Sequence, residues 1–561
     1  MAYIHLSGIF RSPRSTAKTS ARPSSLFPHP PSLMATEPKG VFRQPSAGTV
    51  TLDEPPPAIG RGVSERRFFG HPVGLSTLFF TEMWERFSYY GIRPLLVLFM
   101  TAALAQGGFG FQRDTASSIV GIYAASVYLA SLPGGWIADR WLGLRQSIWY
   151  GGILIALGHI SIALSIVFAH SAFFIGLIFI VLGTGLLKPN ISAIVGDLYP
   201  EGGSRRDAGF SIFYMGINIG ALVAPLITGY LGEKVGWHLG FGAAGVGMLI
   251  GLFTYRMRAN KTLGDIGVVP ASADPAEHRR VKMWSLIGVG VIALLVILTM
   301  TGVLHLNPVS MAQKMSLVIV GLALVYFVYL FVAGGLSGEE KKRVIVIFLL
   351  FIFASIFWSA FEQAPTSLNL FARDYTNRVV FGWEMPTLWL QAANSVFVIA
   401  LAPVFAWVWI ALGRRGRDPS SVAKFAWGLF FAGLGFVVMW AAANVVINAG
   451  GNVRVSPWWL VWSYFFQTIG ELSLSPVGLS SMTKLAPVKF KGQMMGVWFM
   501  ASALGNLIAG LVGGKVDPEK LQEMPLLFRQ TSLFLFLAAI VCGLLVFAVR
   551  KMMKGVPAGQ R

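Results

Sequence analysis

The sequence predicts an all-α transmembrane protein in which two six-helix bundles flank an extra two-helix hairpin. Three observations carry this. The chain of 561 residues is 55% hydrophobic and only 12% charged, more apolar surface than a soluble fold of that length can bury. Its apolar residues gather into runs of about 18 or more, each long enough to cross a ~30 Å hydrocarbon core as a helix. Its Lys and Arg residues collect in alternate loops between those runs, which is how topology is written in membrane proteins.

Taken in order, residues 1–70 are rich in Pro, Ser and Arg, and their first acidic residue is Glu37. They contain no apolar core of a secretory signal. An acidic-poor, Ser- and Arg-rich start can be an organelle transit peptide; a disordered tail, with translation starting at Met34, is the plainer expectation. Apolar runs follow at 75–104, 116–138, 146–168, 172–198, 208–232 and 237–256, forming a first bundle over 71–260. Two more, at 283–304 and 313–335, fall in a linker of 261–342, expected to pack its hairpin at the periphery. Six others, at 343–372, 386–412, 421–448, 456–484, 491–513 and 527–550, form a second bundle over 343–550, before a short tail of 551–561. Six, two and six make fourteen helices. The 63 glycines suit helices that approach closely in lipid.

The basic loops include Arg140/Arg145, Arg205/Arg206, Lys341-Lys342-Arg343, Arg414-Arg415-Gly416-Arg417 and Lys489/Lys491. They place both termini in the cytoplasm, so the number of crossings is even. A net charge of +20 raises the thought of nucleic acid, but the charge lies in short loops and forms no continuous face. The lone Cys542, inside an apolar run, excludes an internal disulfide and a cysteine metal site. Neither a nucleotide loop, a His/Cys cluster nor a nucleophile motif is present, which argues against an enzyme and against any metal or cofactor beyond protons.

Two six-helix halves resemble the major facilitators, which bind substrate near the midplane between halves. The stretch Gly135-Trp-Ile-Ala-Asp139-Arg140-Trp-Leu-Gly143-Leu-Arg145 resembles their loop between helices 2 and 3, whose expected role is structural gating.

The chemistry shows in the first helix, which reads Thr81-Glu82-Met-Trp-Glu85-Arg86-Phe-Ser-Tyr89-Tyr90-Gly91-Ile-Arg93. Glu82, Glu85, Arg86, Tyr89, Tyr90 and Arg93 stand at offsets of 0, 3, 4, 7, 8 and 11, one face of a helix. Charges near a membrane boundary often snorkel to water and do nothing else. Yet one ionised group at a helix centre costs ~2.5–3.5 kcal/mol, and four facing lipid would cost on the order of 10 kcal/mol. Mutual pairing along the stripe and a watered cavity are therefore expected. Lys188, in Gly183-Thr-Gly-Leu-Leu-Lys188-Pro-Asn, adds a cation to the first half. Glu362, in Phe357-Trp358-Ser-Ala-Phe-Glu362-Gln363, and Glu471, in Gly470-Glu471-Leu-Ser, add carboxylates to the second. A half with cations facing a half with carboxylates suits a zwitterion with separated charges, such as a short peptide.

These residues resemble the proton-dependent oligopeptide transporter family. Its first-helix motif E-x-x-E-R-F-x-Y-Y-G stands complete at 82–91, and its fifth-helix signature appears as Phe213-Tyr214-Met-Gly-Ile217-Asn218-Ile-Gly220. The likeness spans about 70–550, and the hairpin resembles that of bacterial members. It implies proton-coupled symport of di- and tripeptides by alternating access in a bacterial inner membrane, by a multi-pass protein expected to be a monomer. Arg86 and Lys188 would then meet the peptide carboxylate beside Tyr90, and Glu471 the amino terminus. Asn218 and Asn394 would bond the peptide backbone, while Tyr89, Tyr128, Trp358 and Trp498 line the pocket. Glu362 would pair with Arg93 and carry the proton, with Glu82 and Glu85 joining Arg86 and Lys188 in coupling. The family's animal members use a histidine of the second helix; none occurs here between 116 and 138, so coupling falls to carboxylates. His159, without an acidic neighbour in sequence, is expected to be a lone packing or cavity residue. Two other readings stay open on sequence alone: a proton-coupled carrier of a non-peptide solute such as nitrate, and a membrane sensor that transports nothing.

Overall fold

The computed structural model describes residues 67–201 and 203–552. A two-residue antiparallel ladder pairs Arg67–Phe68 with His71–Pro72 and leads into the first helix, so residues 67–70 of the expected tail are ordered chain; the rest of that tail, and 553–561, lie outside the described residues. The first six helices are α1 (Gly74–Thr101), α2 (Arg113–Ile137), α3 (Leu144–Ala163), α4 (Ser165–Asp197), α5 (Gly203–Tyr230) and α6 (Trp237–Leu263). The hairpin is α7 (Pro275–Met300) and α8 (Pro308–Val332). The remaining helices are α9 (Gly338–Phe361), α10 (Asn369–Tyr375), α11 (Ala392–Arg414), α12 (Ser421–Asn448), α13 (Trp458–Leu485), α14 (Lys491–Gly513) and α15 (Glu523–Met552).

Twelve helical stretches among the described residues are long and apolar enough to cross a membrane, one of them extending from α9 through α10. The two long helices outside that set are α1 and α13, of 28 residues each. They are the helices whose apolar character is diluted by the charges of the first-helix stripe and by Glu471. An ionisable group inside a span is carried at a cost in hydropathy, so function and weak membrane signal coincide.

One element departs from expectation. The run 343–372 reads as a single helix, but α9 stops at Phe361 and a wide helical turn at 364–368 separates it from α10. Pro365 supplies the reason, since it has no N–H to continue the ladder and its ring crowds the preceding turn. Glu362 caps α9 at this break. Broken helices are tolerated in membranes where they are enclosed by protein or line a cavity.

In the first half α1 packs on α5 and α6, and α3 on α4 and α6; in the second, α12 packs on α13 and α15, and α9 on α14. Across the halves α2 runs against α14, and α5 against α11. The hairpin packs outside both. On α7 only Val281 is buried, whereas Trp284, Leu286, Val289 and Leu295 are about half exposed or more. Such an apolar face needs lipid as its solvent. On α8, Ala312, Ile319, Ala323, Phe327 and Leu330 turn inward, and the helix rests on α2, α9 and α14.

Helix approach is set by glycine at the closest crossings. A Cβ built on Gly134 of α2 would lie 2.0 Å from the Gly185 carbonyl oxygen of α4, so the two backbones touch. Gly134→Val is therefore expected to lower the melting temperature in detergent by several degrees, through overpacking that costs about 1–3 kcal/mol. The neighbouring Gly135→Val, whose Cβ would meet nothing nearer than Pro189 at 3.9 Å, serves as the control and should melt close to the parent.

Candidate functional site

The first-helix stripe is buried as a unit: Glu82, Glu85, Arg86, Tyr89 and Arg93 all lie inside the protein, and Tyr90 is half-buried. The opposite side of α1 explains the orientation. Trp84 and Phe87 lie against Gly247 and Gly251 of α6, and Ser88 Oγ stands 2.5 Å from His159 Nε2 of α3. His159 is thus no lone residue. It gains a hydroxyl partner 71 positions away that sequence neighbours cannot disclose, although its Nδ1 remains without one.

Arg86 is held by two carboxylates. Its Nε and Nη2 both donate to Glu85, the latter at 2.6 Å, and its Nε lies 3.3 Å from Glu82 Oε1. The mutual pairing expected along the stripe thus forms with both carboxylates, and the bidentate partner is the adjacent Glu85. A fork-to-carboxylate geometry is the strong form of this bond. One oxygen of Glu82 is left without a partner. Lys188 of α4 approaches the stripe from the side, with Nζ 4.5 Å from the centre of the Tyr128 ring of α2, and it forms no ion pair among the described residues. It lies within electrostatic reach of Arg86, Glu85, Glu82 and Glu362.

Arg93, two turns beyond Arg86, joins the halves. Its Nη2 donates to Glu362 of α9 and, at 2.8 Å, to Asn506 Oδ1 of α14. Tyr89 lies between the two arginines, its ring centre 5.0 Å from the Arg86 guanidinium carbon and 5.8 Å from that of Arg93. Tyr123 of α2 stacks on Tyr89 with centroids 6.2 Å apart.

On the second half, Asn394 Nδ2 of α11 donates to Thr468 Oγ1 at 2.9 Å and reaches Glu471 Oε2 of α13 at 3.4 Å. Glu471 forms no ion pair among the described residues. Tyr214 of α5 is within electrostatic reach of both Glu471 and Tyr90, which brings the carboxylate of one half toward the phenol of the other. The other predicted residues are placed as follows. Asn218 spends its amide on the Tyr214 carbonyl at 2.9 Å and bonds none of the other predicted side chains. Trp358 packs between Phe357 and Phe361 with its Nε1 unpartnered. Trp498 lies against Gly478 of α13. Both indoles are buried in the seams of the second half.

Sequence reasoning missed Asn506, Tyr123, Tyr214 as a neighbour of the carboxylate, Thr468 and the Ser88–His159 pair. Asn506 carried a usable signal: it is an amide within the apolar run 491–513, and polar groups in such runs need partners for the reason charges do.

Further bonds across the halves cluster around the loops that join α1 to α2, α5 to α6 and α10 to α11. Arg113 meets Asp374 at 2.5 Å and the Val516 carbonyl at 2.8 Å. Glu233 accepts from Thr387 N and Oγ1, at 2.8 and 2.7 Å, and from Leu388 N at 3.1 Å. Asn369 donates to the Pro94 carbonyl at 2.8 Å. In the loop ahead of α11, burial disfavours the charge of Glu384, but Arg378 beside it, with Lys234 and Arg454, outweighs this and holds the carboxyl below the usual glutamate range. With Arg93–Glu362–Asn506, these bonds tie the two halves together. A cavity of about 650 Å³ lies elsewhere, between α8, α9, α14 and α15; its lining is mostly apolar, as at Leu324, Phe348 and Phe534, and it contains none of the predicted site residues.

Comparison with known proteins places this arrangement. The POT family model matches residues 145–521, beginning beyond the α1 stripe. Full-length relatives cover the stripe as well. The peptide transporter YePEPT of Yersinia enterocolitica is 50% identical over 500 residues, covering 88% of this chain and 98% of its own. A di-/tripeptide transporter of Lactococcus lactis is 38% identical, with 87% and 97% covered. The crystal structure of peptide transporter POT in complex with sulfate superposes with a TM-score of 0.80 at 41% identity, covering 88% and 98%. A POT family transporter in complex with 5-aminolevulinic acid gives 0.79 at 35%, covering 87% and 99%. The match extends over most of the chain and over nearly the whole of each relative: the protein is a multi-pass membrane transporter and belongs to the POT family.

Proposed function

We propose that the protein imports di- and tripeptides together with protons, by alternating access across a bacterial inner membrane, with both termini in the cytoplasm and the protein acting as a monomer. The observation that carries the reading is the separation of charge between halves: Arg86 and Lys188 on α1 and α4, Glu471 with Asn394 on α13 and α11. A peptide carries a carboxylate and an ammonium at its two ends, and neither Lys188 nor Glu471 is neutralised by an ion pair among the described residues. The relatives named peptide transporters support the substrate class.

In this reading the closed end bearing Arg93–Glu362 faces outward. The peptide carboxylate meets Lys188 and competes with Glu85 for Arg86, releasing Glu82 and Glu85 to take part in proton exchange. The ammonium is held by Glu471, the backbone by Asn218 and Asn394, with Tyr89, Tyr90, Tyr128, Trp358 and Trp498 around it. Protonation of Glu362 removes its attraction for Arg93 and frees the outer end to open. Peptide and proton thereby bias one equilibrium between two arrangements of the halves.

Purified protein in liposomes should accumulate labelled dialanine under an inward pH gradient, with competition by unlabelled di- and tripeptides and none by nitrate. Competition by nitrate with indifference to peptides would overturn the substrate class; accumulation insensitive to the pH gradient would overturn proton coupling.

A further inference from the structure

Arg93 has a second partner that the proton does not reach. Arg93 is 7% exposed and its guanidinium stays charged at any physiological pH, so it needs an acceptor in every state of the gate. Glu362 offers it a charged acceptor only while ionised; once protonated it keeps a carbonyl oxygen but loses the charge. When that carboxyl is neutral, the Asn506 carbonyl oxygen, 2.8 Å from the same Nη2, remains. Asn506 is 2% exposed, and its Nδ2 donates to the Ser502 carbonyl at 2.9 Å, which fixes the oxygen toward Arg93. Its backbone lies in the seam between halves: a Cβ on Gly121 of α2 would stand 2.8 Å from the Asn506 carbonyl.

We propose that Asn506 is a positioning residue of the gate, a neutral second acceptor that keeps part of the hold on Arg93 after Glu362 has taken its proton, and so sets how acidic the medium must be before the outer end opens. The inference rests on the reading of Glu362 as the titrating partner. Other titratable or charged groups around the pair are Tyr89, Tyr90, Arg86 and Glu85 from α1, Tyr123 and Tyr128 from α2, Lys188 from α4 and Glu471 from α13. The side chains that bond Arg93 directly are Glu362 and Asn506.

The test is peptide exchange in liposomes with equal pH on both sides, followed across a range of pH. Asn506→Ala weakens closure in both protonation states, so the half-maximal pH should move upward by about one unit. Asn506→Asp gives Arg93 a second carboxylate, so closure survives the first protonation and the half-maximum should move downward. Glu362→Gln should exchange without pH dependence, and Glu362→Gln/Asn506→Asp should recover that dependence, because the titrating carboxyl has been moved to the other acceptor of the same guanidinium. A role in packing alone would lower rates in these variants without opposite shifts and without recovery. If Glu362→Gln is flat, the double variant is equally flat and both single Asn506 variants keep the parental midpoint, the inference about Asn506 is wrong. If Glu362→Gln itself keeps the parental pH profile, it is the reading of Glu362 that fails, and the Asn506→Ala shift then reports on Asn506 separately.

Discussion

Glu362→Gln is expected to abolish accumulation of peptide under a pH gradient while leaving counterflow exchange of peptide intact. Glutamine preserves the shape of the side chain and an amide oxygen for Arg93, but it cannot ionise. The variant therefore resembles the protonated state permanently. Losing one member of a buried ion pair costs about 3–5 kcal/mol, and even half of that changes the ratio of closed to open outer ends on the order of 10-fold to 100-fold. The gate would still pass peptide in exchange, because peptide alone can bias the equilibrium, but no proton would be carried with each opening. The measurement is paired: driven uptake and counterflow on the same liposomes. Driven accumulation at the parental level would remove Glu362 from the coupling mechanism, and loss of both activities would indicate that the variant has damaged the fold or the peptide site.

The residues differ in how far their surroundings could be read from sequence, and the reason is the range of the interactions. Membrane crossings are local: an apolar run of given length must span, so the runs at 421–448 and 491–513 coincide with α12 and α14. The α1 stripe was legible for a similar reason, since helical periodicity puts 82, 85, 86, 89 and 93 on one face whatever lies opposite. The partners of that face were not. Nothing near Ser88 announces His159, and nothing near Arg93 announces Asn506, 413 positions away; only the packing of α1 and α3 on α6, and of α2 on α14, brings them together. Within the stripe, mutual pairing was legible, but not that Glu85 would take both arms of the Arg86 fork. The break at Glu362 lay between these extremes. Pro365 was visible, but whether a proline ends, kinks or merely bends a span depends on which neighbours satisfy the freed backbone.

Glu471→Gln is expected to weaken binding of a free dipeptide by about 10-fold to 100-fold, the equivalent of the roughly 1.5–3 kcal/mol that a hydrogen bond to a charged group contributes. The same change should leave the affinity for an N-acetylated dipeptide nearly as it is in the parent. What Glu471 already has decides the outcome. Asn394 reaches one of its oxygens at 3.4 Å, and no cation pairs with it among the described residues, so its charge is available to an incoming ammonium. An acetylated amino terminus has no charge to offer and gains nothing from the carboxylate, while glutamine keeps the size and the contact with Asn394. The difference between the two peptides, measured by competition on one preparation, isolates the charge from the packing. Equal losses for both would mean that Glu471 supports the site by shape alone. A loss confined to the free amine would place the peptide's amino terminus at Glu471 of α13.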